Sequence, residues 1–115
     1  MPKELRKLVF TIDELKSAAY DYCLRNSVRI PQAPIDDLIV EDSDSTFLTL
    51  CFSSSDLSDP KRVPLNRDKV GAALIKYCST NGIPMPRMAQ KVLKVDNGEV
   101  SMMISLHWKS SKASA

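Results

Sequence analysis

Apolar positions along the chain follow two periods, and each period occurs twice. Ile12, Leu15, Ala19 and Tyr22 recur at helical spacing. Thr11 stands just ahead of them, and Thr11-Ile12-Asp13-Glu14 has the T-x-x-E form of a capping box, so a helix begins there and runs to about Arg25. Asn26-Ser27 ends it, and Pro31 and Pro34 prevent its return. Leu38 and Val40 then open an alternating strand. Asp42-Ser43-Asp44-Ser45 forms a polar turn, and Thr46, Leu48, Leu50 and Phe52 alternate along the return strand.

The second half repeats the pattern. Asn66 is the N-cap, Val70, Leu74 and Tyr77 form the helical stripe, and Asn81-Gly82 is a stop signal because Gly accepts a positive φ. A strand follows at Val92 to Val95. Asn97-Gly98 predicts a type I′ hairpin turn, and Val100, Met102, Ile104, Leu106 and Trp108 alternate inward. A short strand is also expected before each helix. Leu5 to Phe10 fits one. Arg62 to Leu65 fits the other, confined to a sheet edge by Pro64.

The two halves also align residue by residue. At an offset of 55, eight identities fall within positions 11 to 41: Asp13/Asp68, Ala18/Ala73, Tyr22/Tyr77, Cys23/Cys78, Asn26/Asn81, Pro31/Pro86, Leu38/Leu93 and Val40/Val95. Past the hairpin turn an offset of 56 lays Leu48, Leu50 and Phe52 on Ile104, Leu106 and Trp108. The reading is a tandem (β)αββ repeat of the α+β class. It makes one domain over residues 1–108, with repeats at about 5–55 and 61–108, a linker at 53–60 and a disordered polar tail at 109–115. One half buries too little core to be stable alone. Two halves about a pseudo-twofold axis make a two-layer sandwich, expected as one antiparallel sheet with both helices on one face. This element order resembles duplicated α+β folds, homing endonucleases among them. The likeness is one of topology, and the acidic helix-end motif of such nucleases is absent from this sequence.

Composition removes most recognisable chemistry. The chain of 115 residues is 43% hydrophobic and 26% charged, which is ordinary for a water-soluble globular domain. Its three glycines, at 71, 82 and 98, are too sparse for a glycine-rich phosphate loop, and one histidine excludes any two-histidine metal or catalytic motif. No cofactor is expected. Three cysteines cannot close a disulfide framework, the N-terminus has no apolar signal core, and no apolar run could cross a bilayer. The expected setting is a reducing cytoplasm without membrane attachment. Net charge is only +2, but residues 1–55 carry 6 basic and 9 acidic side chains while residues 56–115 carry 10 and 5.

Four constellations are worth weighing. Cys23, Cys78, Cys51 and His107 could supply soft ligands, but no two stand at the close spacing of a zinc knuckle, so buried inert thiols are the better reading and no metal is expected. Cys51 and His107 would make a nucleophile and base only if the two return strands are neighbours. Glu41-Asp42-Ser43-Asp44 reads as a solvated turn, since it lacks the Gly and distal Glu of a calcium loop. Arg62, Arg67, Arg87, Lys91 and Lys94 could meet phosphates, but few aromatics are left to stack on bases.

The most informative feature is the sheet face away from the helices. Strand alternation places Ile39, Phe47, Val92 and Met103 there, a set too apolar for plain solvent surface. The expected function is therefore a small non-catalytic binding or regulatory domain that acts by protein–protein contact or self-association, as a homodimer through that face. Nucleic-acid binding by the basic second half ranks second, and a small enzyme using Cys51 or His107 third.

Overall fold

The computed structural model describes residues 3–53, 57 and 61–107, with the backbone alone at His107. The expectations for Trp108, for the 109–115 tail and for most of the 53–60 linker lie outside the described residues. The elements follow in the order β1 (Lys3–Phe10), α1 (Ile12–Arg25), β2 (Ile35–Val40), β3 (Leu48–Phe52), β4 (Arg62–Leu65), α2 (Arg67–Thr80), β5 (Gln90–Asp96) and β6 (Glu99–His107).

Local chemistry sets both helices. The Thr11 hydroxyl accepts the Glu14 N–H at 3.1 Å, and the Glu14 carboxylate accepts the Thr11 N–H at 2.8 Å, which completes the capping box. At α2 the Asn66 side chain accepts the Lys69 N–H at 2.8 Å. The C-termini close alike. Asn26 and Asn81 each donate a side-chain N–H back to Tyr22 O and Tyr77 O. The next residues, Ser27 and Gly82, take φ values of 56° and 71°. Val28 and Ile83 then donate to Cys23 O and Cys78 O, the long bond of a Schellman motif.

Each helix buries one stripe: Leu15, Ala18, Ala19 and Cys23 on α1, and Val70, Ala73, Leu74 and Cys78 on α2. Every member of the first set lies 55 positions before its counterpart in the second. The small side chains let the helices pack closely. They pack antiparallel: Lys69, in the first turn of α2, acts on the Cys23 thiol near the end of α1, and Glu14, at the start of α1, acts on Cys78 near the end of α2.

The strands form two three-stranded antiparallel sheets, β1-β6-β5 and β2-β3-β4, rather than the single sheet expected from the sequence. The reason is where the pre-helix strands pair. β1 runs the length of β6, from Lys3 opposite His107 to Phe10 opposite Val100. β4 pairs with β3, from Leu48 opposite Leu65 to Cys51 opposite Arg62. The strand before each helix thus completes the sheet of the other half's hairpin. β4 is an edge strand, as Pro64 demands. The β5–β6 turn carries Asn97 at φ 52° and Gly98 at φ 76°, both left-handed as a type I′ turn requires. The architecture is α+β, two helices against two antiparallel sheets, compatible with a two-layer sandwich. Leu48, Leu50, Phe52, Val63 and Leu65 from one sheet join Phe10, Leu93, Val100, Met102 and Ile104 from the other in the core.

Candidate functional site

The register of the β1-β6-β5 sheet defines an outer face. Side chains directly opposite share a face. Leu5, Lys7 and Val9 stand opposite Ser105, Met103 and Ser101, which stand opposite Gln90, Val92 and Lys94. Leu8, Phe10, Leu93, Val100 and Met102 lie on the core side. Leu5, Val9 and Val92 are 59%, 47% and 50% exposed, and Met103 between them is half-buried. Met103 stands directly opposite Val92 and diagonal to Leu5 and Val9, with Lys7 between the last two, so large apolar side chains cluster across three adjacent strands. Charge is graded along the face. Lys7 and Lys94 flank the centre, Lys3 lies at one end, and Asp96 and Glu99 lie at the hairpin turn.

Val92 and Met103, expected on an open face, are therefore cross-strand partners on one. Ile39 lies elsewhere, half-buried and opposite Thr49 in the other sheet. Phe47 is a correction, since it is 1% exposed and belongs to the core. Strand alternation fails there because Phe47 precedes the regular β3 ladder. Its carbonyl accepts both the Glu41 and the Asp42 N–H, the two-on-one pattern of a β-bulge, and Asp42 takes φ 48°. That side of the strand is covered, since Thr49, two residues on, is also only 4% exposed. Leu5 and Val9 were missed as site residues, although the alternation in Leu5-Arg6-Lys7-Leu8-Val9-Phe10 carries their signal.

Arg67, a candidate phosphate ligand, is held in a structural junction. One guanidinium nitrogen donates to the Leu93 carbonyl on β5 at 2.6 Å, another pairs with the Asp42 carboxylate, and the group lies 4.8 Å from the centre of the Phe47 ring. It ties the two sheets together. Lys91 donates to the Ala89 carbonyl at 3.1 Å. Arg87 and Lys94 are exposed, and Arg62 is exposed on β4 in the other sheet. The five cations are spread over both sheets, the start of α2 and a loop.

Beside Arg67 a groove of about 490 Å³ runs between α2 and β5. Gly71, Ala72, Ile75, Leu93 and Met102 line it, with Arg67, Asp68 and Lys91 among its charged residues. The Asp42-Ser43-Asp44 turn lies by Asn66 and Asp68 at the α2 N-terminus.

The condition set for a Cys51 and His107 pair, neighbouring return strands, is not met. β3 has β2 and β4 as neighbours and β6 has β1 and β5, so the two return strands are not adjacent. Among the described residues no three His, Cys, Asp or Glu side chains group to hold a metal ion. Burial pushes the Cys23 and Cys78 thiols above the ordinary thiol range. Lys69 opposes this at Cys23, and Glu14 adds to it at Cys78. A raised folded-state pKa keeps its stabilising effect at pH values below the unfolded thiol pKa and loses it as pH rises through the folded value. The urea midpoint of the protein is therefore expected to fall as pH rises above the ordinary thiol pKa of about 8.5. The Cys23→Ala/Cys78→Ala variant should show a shallower fall over the same range, and an equal slope would refute the thiol contribution.

The chain matches no protein-family model, no curated protein and no solved structure. No helix among the described residues is long and apolar enough to cross a membrane.

Proposed function

We propose that this chain is a non-catalytic protein-binding module, built by tandem duplication of a (β)αββ unit, whose contact surface is the outer face of the β1-β6-β5 sheet. The observation that carries the reading is the set of exposed Leu5, Val9 and Val92 around Met103. Duplication is supported by the shared 55-residue offset of the buried helix stripes and by the matched Schellman ends. The face is small. Three strands about 4.8 Å apart, with about seven residues rising ~3.3 Å each, present roughly 300 Å² in projection. That is well under the ~800 Å² each partner buries in a standard interface, so the contact is a transient one. A second copy or another protein fits it equally in chemistry.

Native mass spectrometry of the protein purified at moderate salt tests this. The expected spectrum contains a second protein mass, either another copy or a partner. The Leu5→Asp/Val9→Asp variant should lose that mass and keep the wild-type circular dichroism, because both side chains already face solvent on an edge strand. A monomer with no second protein mass, or an assembly indifferent to the two aspartates, would overturn the proposal. So would unfolding of the variant, since it would place these residues in the core.

A further inference from the structure

The groove between α2 and β5 lies on the core side of its sheet, so the outer face does not account for it. Its floor is Leu93 and Met102, cross-strand partners that are both buried. Its wall is one side of α2, with Gly71, Ala72 and the exposed Ile75. The volume of about 490 Å³ falls in the range of small-molecule sites, ~300–1,000 Å³. Glycine is a poor residue for the middle of a helix, because it loses the most backbone freedom there. Nothing lies within 4 Å of where a Gly71 Cβ would stand, so no neighbour demands glycine. Its effect is to leave the groove open.

The two halves of the chain differ at this place. At the 55-residue offset the packed positions agree, as Ala18/Ala73, Cys23/Cys78 and Leu38/Leu93. Gly71, Ala72 and Lys91 fall instead on Lys16, Ser17 and Asp36. On the helix a hydrogen and a methyl stand in place of two polar side chains, and on the strand a base stands in place of an acid.

That base specifies what the groove takes. Lys91 is on the core side of β5, opposite Ile104. It is half-buried, lines the groove and forms no ion pair among the described residues. Its ammonium uses one of its three N–H donors, on the Ala89 carbonyl at 3.1 Å. A cation held against apolar surface is best compensated by an anion that accepts hydrogen bonds. Arg67, the other cation of the groove, already has the Asp42 carboxylate, the Leu93 carbonyl and the Phe47 ring. Asp68, beside it at the start of α2, disfavours an anion there. From Asp68 to Ile75 the helix rises about 10 Å, roughly the extended length of octanoate. We infer that the groove binds a small amphipathic monocarboxylate, with a straight alkyl chain along α2 over Leu93 and Met102 and the carboxylate on the Lys91 ammonium. Binding leaves the Arg67 junction intact. It requires no second copy and is independent of the outer sheet face.

Titration of the isotope-labelled full chain with octanoate, followed by amide chemical shifts, is the test. Saturable shifts are expected at Gly71, Ala72, Ile75 and Lys91. A buried methylene is worth about fourfold in affinity, so affinity should climb by about that factor per methylene from hexanoate to octanoate. Octanoate should bind about tenfold more tightly than octanol, because a charge-assisted hydrogen bond separates them. In Lys91→Gln that preference should vanish while octanol binds as in wild type. Gly71→Leu should weaken both ligands by about tenfold or more, since its side chain occupies the place of several methylenes. Should Gly71→Leu perturb the helix, Ala72→Leu fills the groove from an exposed helical position. The Leu5→Asp/Val9→Asp variant should bind octanoate as wild type does. No saturable shift at millimolar octanoate, shifts centred on Leu5, Val9 and Met103, equal binding of acid and alcohol, or a Lys91→Gln protein that keeps the preference would overturn the inference.

Discussion

Phe47→Ala is expected to lower the free energy of unfolding by about 3–5 kcal/mol, the usual cost of deleting a buried aromatic ring. Total stability of a domain this size is about 5–15 kcal/mol, so the variant should be partly unfolded well below the wild-type transition. The ring is 1% exposed and packs at the join of the two sheets. Its removal leaves a void, and it also strips the apolar side of the Arg67 guanidinium, which spans from the Asp42 turn to the Leu93 carbonyl. The Phe47 backbone holds the same junction, taking Glu41 and Asp42 N–H groups and donating to Leu65 O at 2.8 Å. Urea denaturation read by circular dichroism gives the number. A loss below about 1 kcal/mol would put Phe47 outside the core, since only surface changes are normally that mild. Leu5→Ala and Val9→Ala are the controls, expected within about 0.5 kcal/mol of wild type.

Phe47 also marks where sequence reasoning stops. The helices were legible because their signals are local: a capping box, a 3.6-residue stripe and an Asn followed by Ser or Gly at the stop. The Asn97-Gly98 turn and the edge position of Pro64 were legible for the same reason. Strand alternation, by contrast, assumes an unbroken ladder. Alternation also says nothing about what covers a face: Phe47 and Thr49 are both buried, with Arg67 over the Phe47 ring, and only tertiary packing reveals it. Val92 and Met103 lie inside regular ladder, opposite one another. The single sheet was misjudged because pairing between halves is long-range. Nothing in Lys3–Phe10 says whether it joins its own hairpin or the other one. The full-length match of β1 to β6, with Leu8 opposite Met102 and Phe10 opposite Val100, decides that in three dimensions. The groove was invisible in the sequence because Gly71 reads there only as a weak helix residue.

The exchange of pre-helix strands makes a second large prediction. Cutting the chain at Leu57 separates β1, α1, β2 and β3 from β4, α2, β5 and β6. Each fragment keeps a hairpin and a helix but loses the third strand of its sheet, because β1 belongs with β6 and β4 with β3. Each also loses the other helix, against which Ala18, Ala19 and Cys23 or Ala73, Leu74 and Cys78 are buried. A two-stranded hairpin with one helix cannot bury enough surface at this length. Fragments 1–57 and 58–115 are therefore expected to be unfolded alone by circular dichroism and amide exchange. Mixed at equal concentration, they should recover native helix and sheet signals, with a midpoint that rises with concentration as a bimolecular fold requires. Had each half kept its own pre-helix strand, either fragment would retain a complete three-stranded sheet and a helix, and mixing would change little. Folding of an isolated fragment would thus contradict the exchanged topology. Reconstitution without folding of the parts would confirm that the two halves of the chain are stable only through each other.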